Sequence, residues 1–147
     1  MVDDVILNKA ATIERCLQRV VEEHAGNDAN LVANQTKQDA IILNLQRACE
    51  ASIDLAMHVI SRRRLGIPQD SRDAFTLLQA SGILPADLAV RMQHMVGFRN
   101  IAVHEYTRLN VDVVRSIITK QLDDFRFFSS TIVKAFASPT GVTESRP

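Results

Sequence analysis

The chain has 147 residues, 46% of them hydrophobic and 5% aromatic, with no tryptophan, one tyrosine, and 17 basic residues against 17 acidic ones. That length reads as one domain, able to bury roughly 70% of the surface its unfolded chain exposes, so no disulfide or metal staple is required. Zero net charge excludes a generic nucleic-acid coat, so any RNA contact must be local, and it leaves association between copies unopposed by self-repulsion.

The N-terminus carries Asp3 and Asp4 where a signal peptide would have an apolar stretch, and no run of 18 apolar residues suggests a membrane span, which together read as a cytoplasmic protein. A first helix is expected from Asp3 or Asp4 to about Glu23, because Ile6, Ala10, Ile13, Leu17, Val20 and Val21 fall on one face. Gly26-Asn27-Asp28 breaks it. A longer helix follows from Asn34 or Thr36 to Arg64, with Ile42, Leu45, Cys49, Ser52, Ala56 and Val59 forming a seam and Ile41, Ile53, Met57 and Ile60 widening it. Gly66 and Pro68 end this central helix. Ser71 with Asp73 reads as the cap of a short third helix carrying Phe75, Leu77 and Leu78, closed by Ser81-Gly82. Pro85 and Asp87 open a fourth, with Leu88, Met92, Met95, Arg99, Ala102 and Tyr106 on one line. Asn110 and Asp112 start a fifth, in which Val114, Ile117, Gln121, Phe125, Phe128 and Ile132 recur at helical spacing. The expected fold is all-α, a bundle of four long helices plus one short helix over residues 1–137, followed by a flexible tail at 138–147 that has no apolar period. Cys16 and Cys49 match neither a disulfide framework nor a metal spacing and read as reduced core thiols.

Chemistry concentrates at residues 99–106, Arg-Asn-Ile-Ala-Val-His-Glu-Tyr. On an ideal helix Arg99 and Tyr106 lie nearly on one line, and Asn100 and His104 align so that the amide can orient the imidazole, whereas Arg99 and His104 are splayed by about 140°. Either the helix is distorted here, or a two-fold dimer surrounds one cleft with residues of both subunits. Such a cleft suits RNA cleavage by RNA's own 2′-hydroxyl. Histidine titrates near neutrality and can move a proton, and an arginine fork can bind the phosphate and stabilise its transition-state charge. Neither a metal, a cofactor nor a protein nucleophile is required, and the products would be a 2′,3′-cyclic phosphate and a 5′-hydroxyl.

The segment from Ala74 to Tyr106 resembles the HepT toxins of the HEPN superfamily, a family long of unknown function. Gly82-Ile83-Leu84-Pro85 leads there into Met95-Val96-Gly97-Phe98-Arg99-Asn100-Ile101-Ala102-Val103-His104-Glu105-Tyr106. The stretch Ala51-Ser52-Ile53-Asp54-Leu55-Ala56-Met57-His58 is similar to the same family, and the resemblance covers nearly everything but the tail. It implies a helical homodimer and a metal-independent endoribonuclease with Arg99 and His104 as catalytic pair and Asn100 as the accompanying polar residue. It also implies a partner, an MntA-type nucleotidyltransferase antitoxin that transfers AMP from ATP to Tyr106. An anionic phosphoadenylate beside Arg99 would occupy the phosphate's place and repel RNA. Every motif position is present, and the Gly-Ser plus paired-Asp pattern of the antitoxin is not, so the resemblance is to the toxin. The alternative within the superfamily is a non-catalytic partner that binds nucleotide or nucleic acid for a nucleotidyltransferase.

Other polar residues have plainer readings. Asp54 and His58, four apart, fit an intrahelical hydrogen bond in or near the core. His94 reads as a rim histidine, His24 as dipole compensation at a helix end, and the four histidines form no zinc pattern. Arg62, Arg63 and Arg64 are either a solvated helix terminus or a patch contacting RNA phosphates. Met92, Met95 and Phe98 read as core or dimer interface.

Overall fold

Capping side chains open four of the helices in the computed structural model, which describes residues 3–137. Residues 1–2 and the expected tail at 138–147 lie outside that range. Asp3 caps helix α1 (Asp4–His24), its carboxylate accepting from the amides of Val5 and Ile6. Asn34 does the same for α3 (Gln35–Arg63) through the Lys37 amide at 3.0 Å. Between them lies α2 (Ala29–Val32), a single turn that periodicity did not register because it is shorter than one apolar repeat. Its Leu31 is fully buried.

α1 and α3 form an antiparallel hairpin, laced by Asp3–His58 at 2.9 Å, Lys9–Asp54 at 3.1 Å and Glu23–Lys37 at 3.4 Å. Two sequence expectations change here. Asp54 and His58 do not bond to each other within α3; each reaches across to α1, because side chains facing a neighbouring helix find better partners there. Val21 is exposed, the buried face of α1 being Ile6, Ile13, Cys16, Leu17 and Val20.

α4 (Ser71–Ala80) and α5 (Ala86–His104) form a second hairpin laid against α3. The cap of α4 is Asp70, which accepts from the Asp73 amide at 2.7 Å, while Asp73 accepts from the Gln69 amide at 2.9 Å. Ser71 is thereby released from the capping role its position suggested. The last rod begins at Asn110, which caps α6 (Val111–Ser116), and continues through a wide turn at Ile117–Gln121 into α7 (Leu122–Ile132) and a second wide turn at Val133–Ala137. Ile117 and Leu122 are both buried although five positions apart, a separation that would splay them on a regular helix. The wide turn absorbs the extra residue and returns both to the core.

The architecture is the expected one, four long helical rods and a short one, plus the unexpected α2. One hydrophobic core runs between the hairpins and α7, centred on an edge-to-face contact of Phe75 and Phe128 with ring centroids 5.4 Å apart. Met92, Met95 and Phe98 belong to that core. Among the described residues no helix is long and apolar enough to cross a membrane.

Candidate active site

α5 is a regular helix up to His104 and stops there: Glu105 leaves helical geometry at φ −142° and ψ 48°. Tyr106–Arg108 form a separate 3-10 turn, closed by the Arg108 amide on the Glu105 carbonyl at 2.8 Å and by a Glu105–Arg108 ion pair at 2.7 Å. Tyr106 is therefore not on the line of Arg99, contrary to the single-helix reading. Backbone propensity alone did not reveal the break, since nothing in Val103 to Thr107 is a Gly or Pro.

Arg99 leaves the core-facing side of α5 half-buried. Its Nε donates to Asn100 Oδ1 at 3.0 Å and its Nη2 to Ser71 Oγ at 3.3 Å. Asn100 thus orients the guanidinium and not the imidazole, because its neighbour's donor is nearer than a ring one turn on. Among the described residues these two bonds leave the Nη1 edge of the fork unspent. Arg99 opens into a cleft of about 220 Å³ lined also by Asp70, Arg72 and Val96. Arg72 is exposed and its guanidinium lies over α5 at Gly97, where a Cβ would come within 2.9 Å of Nη2. Two arginines from adjacent helices so share one small cleft, suited to a phosphate group. Ser71 and Arg72 were missed from the sequence, since only the α4–α5 hairpin brings them to Arg99.

His104 is exposed at the end of α5, with no side-chain hydrogen bond among the described residues. The helix between it and Arg99 is undistorted, so the two side chains point about 140° apart within one chain. Tyr106 is 39% exposed, and its hydroxyl donates to Asp39 Oδ1 on α3. Burial of the ring, then the hydrogen bond to Asp39 and its charge, push the phenol's pKa up to about 12.

The remaining candidates lie elsewhere. Arg62 and Arg63 end α3 and Arg64 caps it, all exposed, and none lines the Arg99 cleft. Arg63 is stacked on Phe136 at 4.3 Å from the ring centroid. His94 sits on the rim of a separate cleft of about 350 Å³ with Met95, Phe98, Ile101 and Leu109. Both cysteines are free and buried, and burial raises both thiols above their ordinary range, the Cys49 thiol furthest, so neither is a ready nucleophile.

The sequence profile described as "Ribonuclease HepT-like" matches residues 9–132. The chain belongs to the HepT-like ribonuclease family. It is 45% identical over 130 residues to the mRNA nuclease HepT of Shewanella oneidensis, covering 88% of this chain and 97% of that protein. Among solved structures it superposes, with a TM-score of 0.85 at 45% identity, on the tri-AMPylated Shewanella oneidensis HEPN toxin in complex with its MNT antitoxin, across 90% of this chain and 98% of that one. A toxin–antitoxin complex with AMP-PNP gives the same TM-score at 44% identity, across 90% of this chain and 99% of that one. This HepT-like chain thus shares its bundle with toxins crystallised beside their antitoxins.

Proposed function

We propose that this HepT-like chain is the toxin of a HEPN/MNT pair, a metal-independent endoribonuclease that cuts RNA with Arg99 and His104. The carrying observation is the division of labour on α5. One cation is pinned by Ser71 and Asn100 beside a phosphate-sized cleft, and one imidazole stands unencumbered in solvent. His104 takes the proton of a 2′-hydroxyl, the freed oxygen attacks the adjacent phosphorus, and the bond to the 5′-oxygen breaks with that oxygen regaining a proton. Arg99 stabilises the added negative charge on the phosphorus centre, with Arg72 beside it. The attacking group comes from RNA, so the step needs no metal-bound water. Asn100 serves as the guanidinium's positioning residue.

Since a regular helix holds Arg99 and His104 apart, the working site pairs Arg99 of one protomer with His104 of the partner subunit in a two-fold homodimer. The solvent face of α5 supports this: Val90, His94, Ile101 and His104 are exposed and share one side of the helix, Val90 and Ile101 at 47% and 40%. Neutralisation is by an MntA-type nucleotidyltransferase adenylylating Tyr106, as the tri-AMPylated relative suggests. Arg62, Arg63 and Arg64 remain an auxiliary RNA contact outside the cleft.

The test is cleavage of RNA by the purified chain in EDTA beside Arg99→Ala and His104→Ala. Cleavage by the wild type alone, leaving cyclic-phosphate ends, is the expected outcome. Activity persisting in either variant, or vanishing with EDTA, overturns the mechanism.

A further inference from the structure

Tyr106 is the chain's only tyrosine, and in the folded chain its hydroxyl already has a base against it. The turn at Tyr106–Arg108 delivers the phenol to Asp39 on α3, 67 positions away in sequence. The oxygen that accepts it, Asp39 Oδ1, also accepts from Gln35 Nε2 at 2.8 Å, one helical turn back. Among the described residues no cation pairs with this carboxylate, so Gln35 and Tyr106 alone fix its direction. The ring stands in the wall of a cleft of about 260 Å³ lined also by Gln35, Gln38, Ile42, Thr107 and Leu109, so one side of the phenol is open to an incoming group.

We infer that Asp39 is the general base for adenylyl transfer to Tyr106, so that the toxin carries on its own α3 the acceptor for the phenolic proton. The inference rests on the proposed modification of Tyr106 by a nucleotidyltransferase using ATP. In that step Tyr106 Oη attacks the α-phosphorus of ATP and forms the new O–P bond. The bond from that phosphorus to the bridging oxygen breaks, and pyrophosphate leaves with the electron pair. The phenolic proton passes to the Asp39 carboxylate and from there to water.

The need for such a base follows from the phenol itself. With its pKa at about 12, only about one Tyr106 in 10⁵ is ionised at neutral pH, so a phenolate formed in solution is too scarce to be the working nucleophile. A carboxylate in contact removes the proton as the O–P bond forms and makes prior ionisation unnecessary. Once the first AMP is attached, Tyr106 has no proton left to give. Asp39 is therefore assigned as the phenol's base in the first transfer only, since any later unit would need another hydroxyl as its acceptor.

The experiment follows intact mass over time for the chain mixed with its cognate nucleotidyltransferase and magnesium–ATP, for wild type, Asp39→Asn and Asp39→Glu, between about pH 6 and pH 9. Wild type is expected to be modified at a rate nearly independent of pH in this range. Asp39→Asn should add its first AMP at least about tenfold more slowly at neutral pH, with a rate that climbs about tenfold per pH unit as the phenol must ionise unaided. Asp39→Glu should recover the flat profile. Because the chain holds one tyrosine and no tryptophan, ultraviolet titration reads the phenol directly. Asp39→Asn should lower its pKa towards the ordinary value of about 10 while the fold, followed by circular dichroism, persists. Equal rates and equal pH profiles for wild type and Asp39→Asn overturn the inference alone. A wild type that is never modified overturns the antitoxin reading and this inference with it.

Discussion

Arg99 shows how few contacts fix the direction of a charged side chain. Two neutral acceptors, Ser71 Oγ and Asn100 Oδ1, set the plane of its guanidinium without cancelling its charge. A carboxylate in either place would bind Arg99 more tightly and compete with the phosphate. Removing one acceptor should loosen the fork and not discharge it: Ser71→Ala is expected to lower kcat/KM for RNA about fivefold, the rate equivalent of about 1 kcal/mol of lost hydrogen bonding. Single-turnover cleavage kinetics measure this, and an unchanged rate would mean that Asn100 suffices. The arginine, amide and histidine were legible at 99–104 because they are contiguous in sequence. Ser71 and Arg72 were not, since nothing local in Asp70 to Asp73 distinguishes a residue facing Arg99 from one facing water.

At the scale of the element, helix ends carry more information than helix middles. Ala25 ends α1 in the left-handed region at φ 52°, a conformation that costs a residue with a Cβ roughly 1 kcal/mol. Ala25→Gly should therefore stabilise the fold by about 0.5–1 kcal/mol, less the added entropy of an unfolded glycine, as read by urea denaturation. The other end of α1 is sensitive to acid. The hydrogen bond from His58 lowers the Asp3 carboxyl pKa below its ordinary value, desolvation opposes it, and the Ile6 amide adds to the lowering. Folding thus favours the ionised form. The resulting stability is complete above the unfolded carboxyl pKa of about 3.9 and is lost as pH falls through the lower folded value. Asp3→Asn should be less stable than wild type at about pH 6, with the gap closing towards pH 2. A gap that stays constant would show that ionisation of Asp3 contributes nothing to stability. Asp54 and His58 carry the same lesson: their spacing fits an intrahelical pair, yet each is used to hold α3 against α1.

At the scale of the molecule, the core and the pairing of copies are separate questions. Phe128, fully buried against Phe75, joins the last rod to the α4–α5 hairpin. Phe128→Ala should destabilise the fold by about 4 kcal/mol, measured by urea denaturation. The dimer is tested by complementation. Arg99→Ala and His104→Ala, each expected to be inactive alone, are mixed, exchanged and assayed on RNA. With the site shared across a two-fold axis, half of the dimers are mixed and half of their sites intact, so about one quarter of wild-type activity should return. A site contained in one chain returns none.

By itself the sequence determined the helical class, the starts of the long helices and the octapeptide where chemistry concentrates, because these depend on period, capping and contiguity, which are local. Its motif was also specific enough to point to the family that the chain belongs to. Only the tertiary structure decided that α5 ends at His104, that Ser71 and Asn100 hold Arg99, that Arg72 shares its cleft, and that Asp39 faces Tyr106. Each of these depends on where a second helix lies relative to the first. That placement is set by the packing of the whole core, which no window of sequence contains.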